Sequence, residues 1–167
     1  TTRADRLGAY GYDNAATQNM DKLAAEGRVY EYCYSPLPLT IPSHAAIFTG
    51  LYPPTIGIRN NGAGKLEDSA YTLTEHLRKV GYSTVGSISA FVTSSEWGFD
   101  QGFEKFYDDL PKPQAGDFWH NERPGEEVVD DLVAWMERGE REGPVFAWAH
   151  FYDPHFPYQP SEAYTQD

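Results

Sequence analysis

Positive charge is scarce in this chain. Thirteen Lys and Arg stand against 25 Asp and Glu in 167 residues, a formal net charge of −12. A surface this acidic repels phosphate backbones and anionic lipid, so no nucleic-acid partner is expected. An anionic substrate would need local positive groups or a metal to overcome that field. No stretch approaches the roughly 18 apolar residues of a membrane span. The single cysteine, Cys33, cannot form an internal disulfide, so it does not fix the redox compartment. It lies in an apolar-polar alternation and reads as a core thiol. No internal repeat, low-complexity stretch or signal peptide is visible in these residues, and the last means little. The chain opens on "TTRADRLG" without an initiator Met, and we expect an excerpt cut at both ends.

What is present is apolar and aromatic. The hydrophobic fraction is 40%, with 12 Tyr, 9 Phe and 4 Trp, enough for one packed domain. "NAATQNMDKLAAEG" predicts a helix with Met20, Leu23 and Ala24 on one face. "TLTEHLRKVG" predicts another, with Leu73, Leu77 and Val80 inward. "GEEVVDDLVAWMERGE" predicts a third, with Val128, Leu132, Trp135 and Met136 inward. "RVYEYCYS" alternates as a strand, and "YSTVGSISA" and "PVFAWAHF" read as strands, the last apolar enough for burial on both faces. "WGFDQGFEKFYDDLPKPQAG" reads as irregular. Strand-helix alternation argues for an α/β sheet covered on both faces, with ligands gathered at the carboxyl ends of its strands.

One stretch carries the chemistry. "LTIPSHAAIFTG", residues 39–50, predicts a helix starting within about two residues of Pro42. Thr40 then stands at a helix N-terminus. Thr40 and Ser43 have two readings there. Hydroxyls commonly cap helices. A hydroxyl activated by a metal or a base is also a nucleophile, and the positive helix end favours an alkoxide and an anionic substrate. His44 could face the same pocket.

The chain resembles the amino-terminal half of the sulfatases, in the alkaline-phosphatase-like superfamily. "TTRADRLGAYGY", "TQNMDKLAAEG", "YSPLPLTIPSHAAIFTGLYP", "TLTEHLRKVGYST", "FDQGFEKFYDD" and "HFYDPHFPY" carry the resemblance over most of the 167 residues. It implies a partial domain with an alkaline-phosphatase-like mixed, mostly parallel sheet and helices on both faces. It also implies a metal-dependent hydrolase of sulfate or phosphate/phosphonate esters. The family's oxidised Cys or Ser position falls on Thr40, and its Arg position on His44. Threonine would give a ketone, so no formylglycine is expected. Thr40 is expected to attack directly, as threonine does in related phosphodiesterases, bound to Zn²⁺, Mn²⁺ or Ca²⁺. His155, in "DPHFPY", matches a histidine that contacts the ester and protonates the leaving group. Asn61, in "GIRNNG", is expected to reach substrate oxygens with His44. The family's "GKWH" lysine and histidine fall on Ser89 and Phe91. The family's carboxylate metal ligands are missing from this stretch: Thr1 stands at one acidic position, and others belong to the family's later half. The alternative is a degenerate module that binds an anionic or carbohydrate ligand without turnover. A periplasmic or secreted location is compatible with the resemblance.

Other ionisable residues read as structural. His150, Asp153 and His155 have the spacing of a metal cluster, but many loops share it, and His150 and Asp153 are assigned structural or supporting roles. Asp108 and Asp109 read as a solvated turn, and Asp130 and Asp131 as facing water. Arg59 reads as a solvated loop cation. His76 and His120 have no supporting partner.

Overall fold

The computed structural model describes residues 2–111, 121–139, 141 and 143–158. The chain divides into two compact units, residues 1–35 with 154–167, and residues 36–153. His120 lies outside the described residues.

The second unit is built on a parallel sheet. Its strands are β1 (Ser83–Ile88), β2 (Lys105–Tyr107) and β3 (Val145–His150), in the order β2-β1-β3. β1 pairs along its whole length with β3, from Ser83 opposite Val145 to Ile88 opposite His150. Every residue of β1 is buried, as befits a central strand covered on both faces. β2 emerges from the aromatic-rich segment expected to be irregular. Its three residues are too few for a legible period.

The unit's helices are α2 (Thr40–Thr49), α3 (Pro53–Ile56), α4 (Leu73–Lys79) and α5 (Gly125–Glu137). α2 buries Ile41, Ala45 and Phe48, spaced four and three residues apart, on one sheet face. There Phe48 meets Trp148 edge-on at 4.7 Å between centroids, and Phe103 stacks near Trp148 at 6.0 Å. Burying each such ring stabilises the fold by roughly 1.5–3 kcal/mol. The close packing needs Gly86 in β1, because a Cβ there would sit 2.6 Å from the Phe106 ring. α5 covers the opposite face, where Val128 and Leu132 pack with Val85.

α4 begins with a reciprocal cap. The Thr72 hydroxyl accepts from the Glu75 amide at 3.1 Å, and Glu75 accepts from the Thr72 amide at 2.8 Å. Its expected apolar face is only partly used. Leu73 and Val80 are exposed, and the buried residues are Thr72 and Thr74. Met136 of α5 is likewise more exposed than expected.

The first unit contains α1 (Gln18–Glu26), which starts and stops close to expectation, but Met20 and Leu23 are exposed. Asp21 accepts from the Ala9 amide at 2.7 Å and holds the "RLGAY" turns against the start of α1. The expected strand "RVYEYCYS" is not seen: residues 28–35 form no ladder among the described residues, and Tyr30, Tyr32 and Tyr34 are exposed. Cys33 is exposed too, so it is not a core thiol. Alternation supplies a strand's faces but not the partner its amides and carbonyls need.

Candidate active site

Thr40 is the first residue of α2, preceded by the extended Leu39. A helix start leaves several amides without intrahelical partners. The first intrahelical bond here runs from the Ser43 amide to the Leu39 carbonyl at 3.1 Å. Pro42 has no N–H. The Ile41 amide donates to Asn61 Oδ1 at 3.0 Å. Among the described residues, the Thr40 amide and hydroxyl take no partner. Both stay available at the positive end of the helix.

Asn61 therefore caps α2 from 20 residues away. Its oxygen must face the Ile41 N–H, so its NH₂ is directed elsewhere as a donor. Asn60 does local turn chemistry, accepting from the Asn61 amide at 2.9 Å. The two asparagines thus divide into a turn former and a cap.

His44 projects from the next turn of α2 into an aromatic nest. Its Nδ1 lies 2.8 Å from the Thr40 carbonyl, which can only accept, so Nδ1 carries the proton. Its ring meets Trp148 at 6.0 Å, Phe99 at 6.2 Å and His150 at 5.0 Å between centroids. Burial holds the His44 imidazole below the usual histidine range. His150 ends β3, is buried, and has Nδ1 3.3 Å from Thr93 Oγ1. The Thr93 hydroxyl donates to the Ala90 carbonyl at 3.0 Å, so His150 Nδ1 donates to Thr93. Burial, with His44 beside it, lowers the His150 pKa to about 3. Two neutral imidazoles thus brace the first turn of α2 against the carboxyl end of β3.

Ser89 is fully buried, and among the described residues its hydroxyl lacks a partner. Phe91 lies edge-on to Trp97 at 5.8 Å. Asp153 caps α5, accepting from the Gly125 amide at 3.0 Å. Glycine at 125 eases that approach: a Cβ would sit 2.6 Å from the Asp153 carboxylate, which would have to shift. His155 belongs to the first unit, and its Nδ1 donates to the Phe156 carbonyl at 2.8 Å.

Asp131 does not face water as expected. It accepts from Arg123 at 2.6 Å and from the Ser87 hydroxyl at 2.9 Å. Arg123, absent from the sequence-based candidates, has only 5% of its side chain exposed and also donates to the Ile88 carbonyl at 2.9 Å. It clasps the carboxyl end of β1. Its only sequence signal was a lone cation in a polar loop. Asp108 accepts from the Ser95 amide and hydroxyl, at 3.0 and 2.5 Å, while Asp109 is exposed.

A divalent ion needs several ligands. Among the described residues, no group of three His, Cys, Asp or Glu could hold one, so they do not fit an ion by themselves.

The sulfatase family model matches residues 1–167, and the chain belongs to the sulfatase family. It is 27% identical over 160 residues to a Δ4,5-hexuronate-2-O-sulfatase of Bacteroides thetaiotaomicron, covering 89% of this chain and 31% of that protein. It is 38% identical over 88 residues to N-acetylgalactosamine-6-sulfatase of Homo sapiens, covering 46% and 17% respectively. The fold also matches a phosphonate monoester hydrolase of Agrobacterium radiobacter, with a TM-score of 0.73 at 20% identity, over 97% of this chain and 41% of that one. The chain thus spans less than a third of each of these two curated relatives. The α/β fold and the family are as the sequence implied. No helix among the described residues is long and apolar enough to cross a membrane.

Proposed function

We propose that this chain is the amino-terminal part of a longer hydrolase acting on sulfate or phosphate/phosphonate esters, with Thr40 as the nucleophile. The observation that carries this reading is the start of α2. The Thr40 hydroxyl and amide there are both unpartnered among the described residues, beside a neutral Asn61 cap. Family membership and the neighbouring ester hydrolases support the reaction class.

The step is a displacement. Thr40 Oγ1 forms a bond to phosphorus or sulfur and gives its proton to solvent. The bond to the leaving oxygen breaks, and that oxygen takes a proton from a general acid that solvent reprotonates, the role the family resemblance gives to His155. Water then cleaves the Thr40 adduct, releasing the inorganic anion and restoring the hydroxyl. The α2 amide end and the Asn61 NH₂ donate to the substrate oxygens. His44 has its Nδ1 on the Thr40 carbonyl, so in this reading it sets the substrate-binding end of α2 by position. Thr40 would contribute one ligand to Zn²⁺, Mn²⁺ or Ca²⁺ in the complete protein, and no step above is routed through the ion. A periplasmic or secreted compartment fits this reading.

One observation favours a second reading, a binding module without turnover. The position of the family's lysine holds a buried Ser89 hydroxyl, unpartnered among the described residues, and that of its histidine holds Phe91. An ester panel separates the two. Full-length protein is assayed on aryl phosphate, phosphodiester, phosphonate and sulfate esters with each metal. Turnover that disappears in Thr40→Ala and partly returns in Thr40→Ser supports the hydrolase. Ester binding with no turnover of any substrate supports the module.

A further inference from the structure

A second cluster lies at the other end of the sheet. Ser83 and Lys105 open β1 and β2, while His150 closes β3 beside α2. Six residues of strand at about 3.3 Å each separate these ends by roughly 16 Å. At the amino end, Ser83, Glu104, Lys105, Trp135, Arg138 and Arg141 line a cavity of about 250 Å³.

The charge there runs against the rest of the chain. Only 13 of 167 residues are Lys or Arg, yet three converge on this cavity. Among the described residues, Lys105, Arg138 and Arg141 have no carboxylate partner within salt-bridge range. The one acid in the lining is already engaged. Glu104 lies 3.8 Å from Arg78 and accepts from the Thr84 amide at 3.3 Å. Arg141 lies over the Trp135 ring at 5.9 Å and donates to the Met136 carbonyl, and Lys105 lies over Tyr107 at 4.5 Å. The aromatic rings thus hold two of the cations in place, and cations on rings keep their charge available for an anion.

Three cations without a carboxylate in salt-bridge range among the described residues, in a chain of net charge −12, make a local positive spot. Guanidinium forks match tetrahedral oxyanions, and two are present. The cavity is smaller than the roughly 300–1,000 Å³ of drug-sized sites. It holds several waters' share of liquid volume, at about 30 Å³ each. A bare oxyanion would leave much of it empty, whereas an oxyanion on a single ring fills it, the ring lying along Trp135 and Ser83.

We infer that Lys105, Arg138, Arg141 and Trp135 form a second anion site, which takes a sulfate or phosphate group carried on one sugar-sized ring. This site is independent of Thr40 chemistry. In an enzyme acting on such esters, it would hold a released product away from the reacting centre.

Calorimetric titration of the full-length protein tests it. The probes are a monosulfated monosaccharide, its phosphorylated and unsubstituted counterparts, and inorganic sulfate. Arg138 and Arg141 are exposed, so Arg138→Gln/Arg141→Gln keeps the fold, checked by an unchanged melting temperature. The expected result is a loss of one binding site in that variant, with affinity there at least tenfold weaker, and retention of that site in Thr40→Ala. If the proposed hydrolase function fails, Thr40→Ala still shows this site and the double variant still loses it. Lys105→Gln should weaken the same site alone. An unchanged stoichiometry in both the double variant and Lys105→Gln overturns the inference. Equal affinity for the unsubstituted sugar overturns the anion role, and equal affinity for inorganic sulfate overturns the ring.

Discussion

Helices α2 and α5 begin in similar ways and are closed in opposite ones. Neither has a local side-chain cap: Leu39 precedes one and Pro124 the other. Each takes its cap from far along the chain, Asn61 on the Ile41 amide and Asp153 on the Gly125 amide. The difference is charge. α2 is braced by neutral groups, the Asn61 amide and the His44 and His150 imidazoles. α5 is braced by ions, the Asp153 carboxylate and the Arg123–Asp131 pair. A carboxylate at a helix start quenches the positive end. An amide satisfies one N–H and leaves the field in place. The helix that starts with Thr40 keeps its attraction for an anion, and the helix that serves as wall does not.

The neutral bracing has a pH cost, and this is the largest effect expected. The folded His150 pKa lies at about 3, below its unfolded value, so between about pH 6.5 and 3 the unfolded chain binds a proton that the folded chain refuses. Stability is therefore full above pH 6.5 and is lost as pH falls. His44 shifts in the same direction. Denaturant melts from pH 7 to 3.5 should show a loss on the order of 4 kcal/mol. His150→Phe should flatten that slope, and a wild-type slope left intact would break the neutral half of the comparison.

The ionic bracing should respond to loss of a partner. Arg123→Met leaves Asp131 uncompensated beside Ser87 and should cost about 3 kcal/mol by chemical denaturation. Arg123→Met/Asp131→Leu should recover most of it. Failure to recover would show that Arg123 acts through packing and not through charge.

These braces also mark what the sequence could and could not tell. The starts of α2 and α4, the run of α5 and the strands β1 and β3 were readable, because apolar period and turn residues act locally. The Thr40 position was readable for the same reason. Asn61 on Ile41, Asp153 on Gly125 and Arg123 on Asp131 were not, because 20, 28 and 8 residues separate partners that only the fold brings together. "RVYEYCYS" shows the converse. Its alternation is plain, but no ladder forms among the described residues, and Cys33 went from expected core to exposed surface with it.

Exchanging the caps sharpens the comparison at the smallest scale. Asn61→Asp keeps an oxygen for the Ile41 amide but adds charge at the substrate end. If the proposed hydrolase reading holds, the full-length protein should show KM for an anionic ester raised roughly fivefold, for about 1 kcal/mol of lost helix-end attraction, with melting temperature held. Asp153→Asn keeps a cap and should cost about 0.5 kcal/mol of stability with KM unchanged. Equal KM effects from the two exchanges would erase the distinction between the helix ends.

The most direct measurement is rapid-quench mass spectrometry of the full-length protein turning over an aryl phosphate. The account predicts a transient phosphoryl adduct on the peptide containing Thr40, absent in Thr40→Ala. Steady turnover with the adduct on another residue, or with Thr40→Ala as fast as wild type, would contradict it.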